Sequence, residues 1–170
     1  DIYSVEYYLQ QLPFTEEQKK ASNVLIEDAL FNMGLIYKNR LEDMDLAIDA
    51  FNTDLTRYPD TPNKEEIYYQ LLLIYMKMGN RDMMAQYRNK LLTDFSQGQY
   101  AAALSDSNYE WNFRYMPLMQ DSLYNVTYNA YLKAEVETVR SNYTDISKKY
   151  PLSDLMPKFS MLNALSYAQT

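Results

Sequence analysis

Hydrophobic residues recur every three or four positions along most of the chain, the spacing that places them on one face of an α-helix. The first long helix is predicted to begin at Thr15, because the segment Thr15-Glu16-Glu17-Gln18 has the form of a capping box. No stretch of useful length alternates with a period of two, so the pattern predicts an all-α protein. The apolar stripe of this first helix is Leu25, Ala29, Leu30, Met33 and Tyr37.

The same spacing predicts three further helices, separated by turn residues. Pro59 ends the second helix, because proline cannot continue a helix, and Gly79 ends the third, as expected just past a helix end. The predicted core faces of helices two to four are Ala47, Ala50, Phe51, Leu55 and Tyr58; Ile67, Leu71, Leu72, Tyr75 and Met78; and Met83, Met84, Tyr87, Leu91, Leu92 and Phe95.

The predicted helix pairs repeat along the sequence. Tyr37 and Tyr75 are 38 residues apart, and Tyr131 and Tyr167 are 36 residues apart, at equivalent positions of successive pairs. We expect these four tyrosines to be core residues with hydroxyls near the edge rather than ligand platforms. One helix pair cannot bury its apolar faces alone, so the repetition predicts an α-solenoid of stacked antiparallel pairs.

The repeat pattern gives a provisional organisation of the chain. The predicted segments are 1–14, the end of a preceding helical element; 15–60 and 61–97, two repeats; 98–116, an inserted linker with a short helix; 117–152, a third repeat; and 153–170, the first helix of a truncated fourth repeat. The chain begins and ends within helical patterns, which predicts a fragment of a longer protein.

The first repeat carries small and bulky residues in a recognisable order: Leu30, Met33, Gly34, Tyr37, Ala47, Phe51 and Pro59. This order resembles the tetratricopeptide repeat, a helix-turn-helix unit of 34 residues. The resemblance implies that the second helix crosses the first at Gly34. Closer packing there would outweigh the local cost of a glycine in a helix, which is about 1 kcal/mol relative to alanine.

A more specific resemblance covers essentially the whole chain. The segments NMGLIYKNRLEDMDLAIDAF, YYQLLLIYMKMGN, YAAALSDSNYE and DSLYNVTY follow one another in an order similar to the tetratricopeptide lipoproteins of gliding motility and type IX secretion in Gram-negative bacteria. That resemblance implies a non-catalytic scaffold in the periplasm or at the outer membrane. Outer-membrane assembly lipoproteins with the same class of repeat are the alternative. The sequence has no cysteine for a lipid anchor, so we expect membrane attachment only through an anchor outside this fragment.

In repeats of this kind the first helices line an inner groove, where a partner would bind. A mixed apolar and amide groove suits an extended or helical segment of a protein partner, with packing against neighbouring repeats of a longer chain as the alternative. Phe31 and Leu35 replace polar members of the set that grips a peptide carboxylate, so that activity is not expected. The predicted groove residues are Phe31, Asn32, Leu35, Lys38, Tyr69, Gln70, Leu73, Lys77, Asn125, Asn129 and Lys133.

The segment from Gly98 to Met116 interrupts the repeats. Pro117 disfavours helix at the residue before it, so we expect a short helix from Asn108 to Tyr115 followed by a break. Its aromatic residues either cover the edge of the stack or form a docking knob for a partner. They are Tyr109, Trp111, Phe113 and Tyr115.

Charge and composition narrow the possible functions. The 170 residues include 23 acidic and 16 basic ones, a net charge of −7, with no Lys/Arg cluster of the kind that binds nucleic acid or an anionic membrane. The chain has no histidine and no cysteine, the commonest general base and the thiol nucleophile. We therefore expect no enzyme activity, cofactor or metal.

Acidic residues and tyrosines leave two further hypotheses. The pairs Glu16-Glu17 and Glu65-Glu66 fall in first helical turns, where acids favour the positive end of the dipole, so a hydrolase built on paired carboxylates ranks last. The acidic turn at 42–45 lacks the glycine and terminal glutamate of a calcium loop and is interpreted as helix capping. Glycan binding by exposed tyrosines is the other alternative.

Overall fold

The computed structural model describes residues 2–9, 12 and 14–168, and within them it contains helices and turns but no β-strand. The predicted all-α class is confirmed, with helices packed in adjacent pairs. Asp1, Gln10, Gln11, Pro13, Gln169 and Thr170 belong to predicted end segments but lie outside the described residues. The helices are α1 (Val5–Leu9), α2 (Glu16–Ile36), α3 (Met44–Arg57), α4 (Lys64–Met78), α5 (Arg81–Asp94), α6 (Ala101–Ser105), α7 (Tyr109–Leu132), α8 (Val136–Lys149) and α9 (Met156–Ser166).

The chain forms two compact units, residues 1–88 and 89–170, with the boundary inside α5. In the first unit α3 packs on α2 and on α4. In the second unit α7, α8 and α9 pack on one another.

The ends of the helices in the first unit follow from local hydrogen bonds. The Thr15 hydroxyl accepts from the Gln18 amide at 3.1 Å, and the Gln18 side chain accepts from the Thr15 amide at 3.1 Å, so the predicted capping box is confirmed. Asp43 caps α3 by accepting from the Leu46 amide at 3.0 Å, which is the capping role expected for the acidic turn. Gly79 ends α4 in the left-handed conformation, with φ +72°.

Gly34 lies where α3 approaches α2 closely. A β-carbon at this position would lie 2.4 Å from Cε1 of Phe51, whose side chain is fully buried. The expected crossing of the first repeat at Gly34 is therefore present.

The predicted core face of α2 is partly wrong. Leu25, Ala29 and Met33 are exposed, whereas Gly34 is the buried residue of this helix. Because successive residues are about 100° apart around a helix, the face that α3 covers is centred one position further along than the apolar stripe suggested. After Ile36 the helix continues as a π-helical turn, Tyr37–Leu41, which ends at Glu42 in a left-handed conformation.

Helix α4 is the most deeply buried element of the first unit, and α5 packs against it through aromatic rings. The ring of Tyr87 lies parallel to that of Tyr75 and tilted against that of Tyr68, each with centroids 5.7 Å apart. Burial raises the pKa of Tyr87 to about 12, with Tyr75 and Tyr68 adding to the effect. These three tyrosines are therefore core residues.

Two expectations about the second unit are wrong. Helix α7 continues through Pro117 without the predicted break at Met116. The preference against helix before proline is a local one, and here the packing of α7 on α8 and α9 overrides it. Tyr167, expected in the core, is exposed, and the Arg140 guanidinium lies over its ring at 4.0 Å. Among the other repeat-equivalent tyrosines, Tyr75 is buried, while Tyr37 and Tyr131 are half-buried.

Candidate partner-binding surface

Most of the predicted groove residues lie on α2, the π-helical turn and α4 of the first unit. We call this surface the first-helix face. It consists of Phe31, Asn32, Leu35, Lys38, Tyr69, Gln70, Leu73 and Lys77. A side-chain contact between Lys38 and Gln70 joins α4 to the π-helical turn, and Lys77 pairs with Glu42 next to that turn. That the eight residues act together as a groove stays a prediction.

Hydrogen bonds link two polar residues of the first-helix face, Lys38 and Gln70, to the neighbouring Glu66. Lys38 Nζ donates a hydrogen bond to Gln70 Oε1, and Gln70 Nε2 donates to Glu66 Oε1 at 2.5 Å. Gln70 is buried, and Lys38 and Glu66 are half-buried. The predicted groove residue Gln70 is therefore positioned to orient Lys38 more than to meet a partner directly.

The ammonium of Lys38 is held in an unfavourable environment. Burial lowers the pKa of Lys38; the nearby Glu66 carboxylate acts in the opposite direction, and Lys77 lowers the pKa further. An ammonium has three N–H donors, and a partner carbonyl or carboxylate would give this partly dehydrated group an additional acceptor. An acceptor on a polar partner would therefore stabilise Lys38 more than the other residues of this face.

The first-helix face also contains four apolar side chains. Phe31, Leu35, Tyr69 and Leu73 are each half-buried. The ring of Phe31 also packs against that of Phe51, with centroids 6.3 Å apart, so this predicted groove residue belongs partly to the core. Half-buried apolar residues around an oriented polar group are the usual composition of a binding surface for a protein segment.

Two members of the face are exposed at its edge. Asn32 Nδ2 donates to the Asp28 carbonyl oxygen at 2.8 Å, a bond within its own helix. Lys77 forms an ion pair with Glu42 at 3.8 Å. Exposed pairs of this kind contribute little to stability, about 0–1 kcal/mol, so both residues are readily available to a partner.

The remaining predicted groove residues lie in the second unit. Asn125, Asn129 and Lys133 are exposed along and just past the end of α7. The Lys133 amide donates to the Asn129 carbonyl at 3.2 Å at the helix end. No side-chain hydrogen bond among the described residues joins the three, so they form an exposed polar edge rather than a built site.

The aromatic residues near the start of α7 are divided between core and surface. Tyr109 is buried and packs edge-on against Phe113 at 6.0 Å, so it cannot belong to an exposed docking knob. Trp111 is exposed, and its ring lies 3.8 Å from that of the half-buried Tyr115. Phe113 is half-buried like Tyr115, so Trp111, Phe113 and Tyr115 remain the predicted residues that could offer a ring surface to a partner.

Sequence reasoning missed two features that depend on how helices pack. Glu66 was placed in a helical first turn, but nothing in the sequence indicated its link through Gln70 to Lys38. The second unit also contains a cavity of about 220 Å³ between α7 and α8, lined by Met119, Leu123, Asp145, Ile146, Lys149 and Tyr150. The helix period alone does not reveal which side chains two helices leave apart.

The described residues contain no cluster of three or more acidic side chains arranged to hold a metal ion. None of the helices in the same ranges is both long and apolar enough to cross a membrane.

Comparison with known proteins adds one finding. Residues 65–93 match the tetratricopeptide repeat family, a range that takes in nearly all of α4 and α5. No curated protein and no solved structure matched the chain. The match and the helical fold support a tetratricopeptide repeat protein, and such repeats generally mediate protein–protein interaction.

Proposed function

We propose that the chain is a non-catalytic scaffold that binds another protein through the first-helix face of its first unit. The observation that carries this proposal is the half-buried Lys38, whose ammonium donates a hydrogen bond to the buried Gln70. Keeping a partly dehydrated ammonium at a surface costs stability, and contact with an acceptor on a partner offsets that cost.

The chemistry of the face favours a peptide segment over a small molecule. Leu35, Tyr69 and Leu73 supply apolar contact area, and Lys38 and Asn32 supply polar groups for backbone carbonyls or acidic side chains. An extended or helical segment presents both kinds of group at regular spacing, which fits such a surface.

The cellular setting is proposed from the sequence resemblance. We place the scaffold in the bacterial cell envelope, in the periplasm or at the outer membrane, within a complex of the gliding-motility or type IX secretion kind. The linker YAAALSDSNYE, followed by DSLYNVTY, supports this choice, because a generic repeat protein would lack it. Assembly of outer-membrane proteins and glycan binding are the alternatives.

Affinity capture from envelope extracts tests the proposal when a face variant and a control are run in parallel. Lys38→Met removes the ammonium and keeps its apolar stem, while Asp49→Asn changes an exposed charge on α3. We expect motility or secretion components to be retained by the wild type and by Asp49→Asn, and to be lost with Lys38→Met. Capture of outer-membrane insertion machinery alone would favour the alternative complex, and capture that is unaffected by Lys38→Met would contradict a role for this face.

A further inference from the structure

Asp54 occupies an unusual place for a carboxylate. It lies on α3 one turn after Phe51, in the row of buried residues Ala47, Ala50, Phe51 and Asp54 that packs against the neighbouring helices. Its side chain has 0% exposure. Acidic side chains are almost never fully buried in proteins unless they are paired with a partner.

The Asp54 carboxylate has no such partner. Both side-chain oxygens are buried, and neither takes part in a hydrogen bond. A buried ion without hydrogen bonds is strongly disfavoured, and such a group relieves the cost by taking up a proton. The carboxyl is therefore more compatible with this helix interface in its neutral form.

The charged groups on neighbouring helices add to the cost. On α2, Glu27 and Asp28 repel the carboxylate. Burial, with these two acids acting in the same direction, raises the pKa of Asp54 from 3.8 to about 6. Both neighbours therefore favour protonation.

The other packed elements do not supply a compensating cation. On α4 the first-turn charges are Lys64, Glu65 and Glu66, and Lys64 Nζ donates to the Pro59 carbonyl at 2.9 Å. The basic residues of the π-helical turn, Lys38 and Arg40, precede α3, whereas Asp54 lies about 15 Å along that helix from its start. On α3 itself, Arg57 lies over the Tyr58 ring.

We propose that Asp54 is a proton-operated switch of helix packing: when neutral it allows α2 and α3 to pack closely, and when ionised it loosens them. The contact that responds is the interface on which Gly34 and Phe51 meet, one turn away. This inference concerns the packing of the helix pair and does not depend on what the first-helix face binds.

The direction of the effect follows from proton linkage. The unfolded chain loses this proton near pH 3.8 and the folded chain near pH 6, so between these values the folded state binds more protons and loses stability as the pH rises. The difference between the two pKa values of Asp54 corresponds to a roughly hundredfold increase in the folding equilibrium constant. This stabilisation is fully present below pH 3.8 and is lost above about pH 6.

Thermal unfolding of the whole chain at pH 4.5 and pH 7.5 tests the switch. We expect Asp54→Asn to raise Tm relative to the wild type at pH 7.5. This increase should be at least about 5 °C larger than the change that the substitution causes at pH 4.5. The comparison between the two pH values removes the pH-independent effect of burying an amide. Asp49→Asn, at an exposed position on the same helix, should show no such difference.

A second measurement on the wild type keeps the proposal testable if the variant does not fold. After correction for intrinsic exchange rates, amide protection in α2 and α3 should fall by tenfold or more between pH 5 and pH 7.5, relative to α8. An equal Tm difference at both pH values, or unchanged protection, would overturn the proposal. So would a pH effect that persists in Asp54→Asn, which would assign the effect to a group other than Asp54.

Discussion

The ring of Phe51 occupies the space that a side chain on Gly34 would need, with Cε1 only 2.4 Å from the position of a β-carbon. Phe51 is fully buried, and protein interiors are close-packed, so a displacement of its ring is costly. Glycine is therefore required here by the neighbouring helix, and its conformational freedom is incidental.

Gly34→Ala should destabilise the first unit, even though alanine favours helix. Overpacking in a dense core costs about 1–3 kcal/mol. Over most of that range the cost exceeds the gain in helix propensity from glycine to alanine, which is about 1 kcal/mol. Urea denaturation followed by circular dichroism measures the change. In a Phe51→Leu background the clash is reduced, and the same substitution should become neutral or stabilising. An equal effect in both backgrounds would show that the ring is not the cause.

Pro117→Ala should stabilise the second unit. Pro117 is exposed within α7 and supplies no N–H to the helix, and a proline in a helix interior costs about 3 kcal/mol. We expect a higher urea midpoint when unfolding is monitored by the fluorescence of Trp111, which lies in the same helix. Leu118→Ala, at the adjacent exposed position, should have little effect. A lower midpoint for Pro117→Ala would mean that the proline has a structural role of its own.

Arg140 holds the end of α9. Its Nη2 donates to the Ser166 carbonyl at 3.0 Å and its Nε to the Ser166 hydroxyl at 3.2 Å, while the guanidinium lies over Tyr167. Arg140→Lys keeps the charge but loses the pair of hydrogen bonds to Ser166. We expect this change to cost about 1–2 kcal/mol and to speed amide exchange at 163–167. Arg114→Lys, at an exposed position on α7, is the matched control. Equal exchange in both variants would argue against this role.

Lys38 should make stability depend on alkaline pH. Burial lowers the pKa of Lys38, so as the pH approaches 10.5 the folded chain loses the proton before the unfolded chain does. Stability conferred by this group therefore rises with pH in that window. Relative to Lys38→Met, the wild type should gain stability as the pH rises toward 10.5, measured by urea denaturation across the alkaline range. Lys148→Met, at an exposed site of the second unit, is the control, and a constant difference for Lys38→Met would contradict the assignment.

The crossing at Gly34 could be predicted because the repeat pattern requires a small residue where two helices cross, and Gly34 and Phe51 stand at the matching positions. The orientation of α2 could not be predicted, because its apolar stripe is broad and the packing of α3 determines which face is buried. The predicted helix break before Pro117 was wrong, because the local backbone preference at Met116 is weaker than the packing of α7. The chain from Lys38 through Gln70 to Glu66 depends on the rotation of two helices at once, which no single periodic pattern contains.

Site-specific photocrosslinking in the native cell tests the central claim most directly. A benzoylphenylalanine residue is placed at Tyr69, on the first-helix face, or at Asp49, on the exposed surface of α3. The account predicts adducts with a defined protein partner from position 69 and not from position 49. The same adducts from both positions, or adducts from position 49 alone, would contradict it.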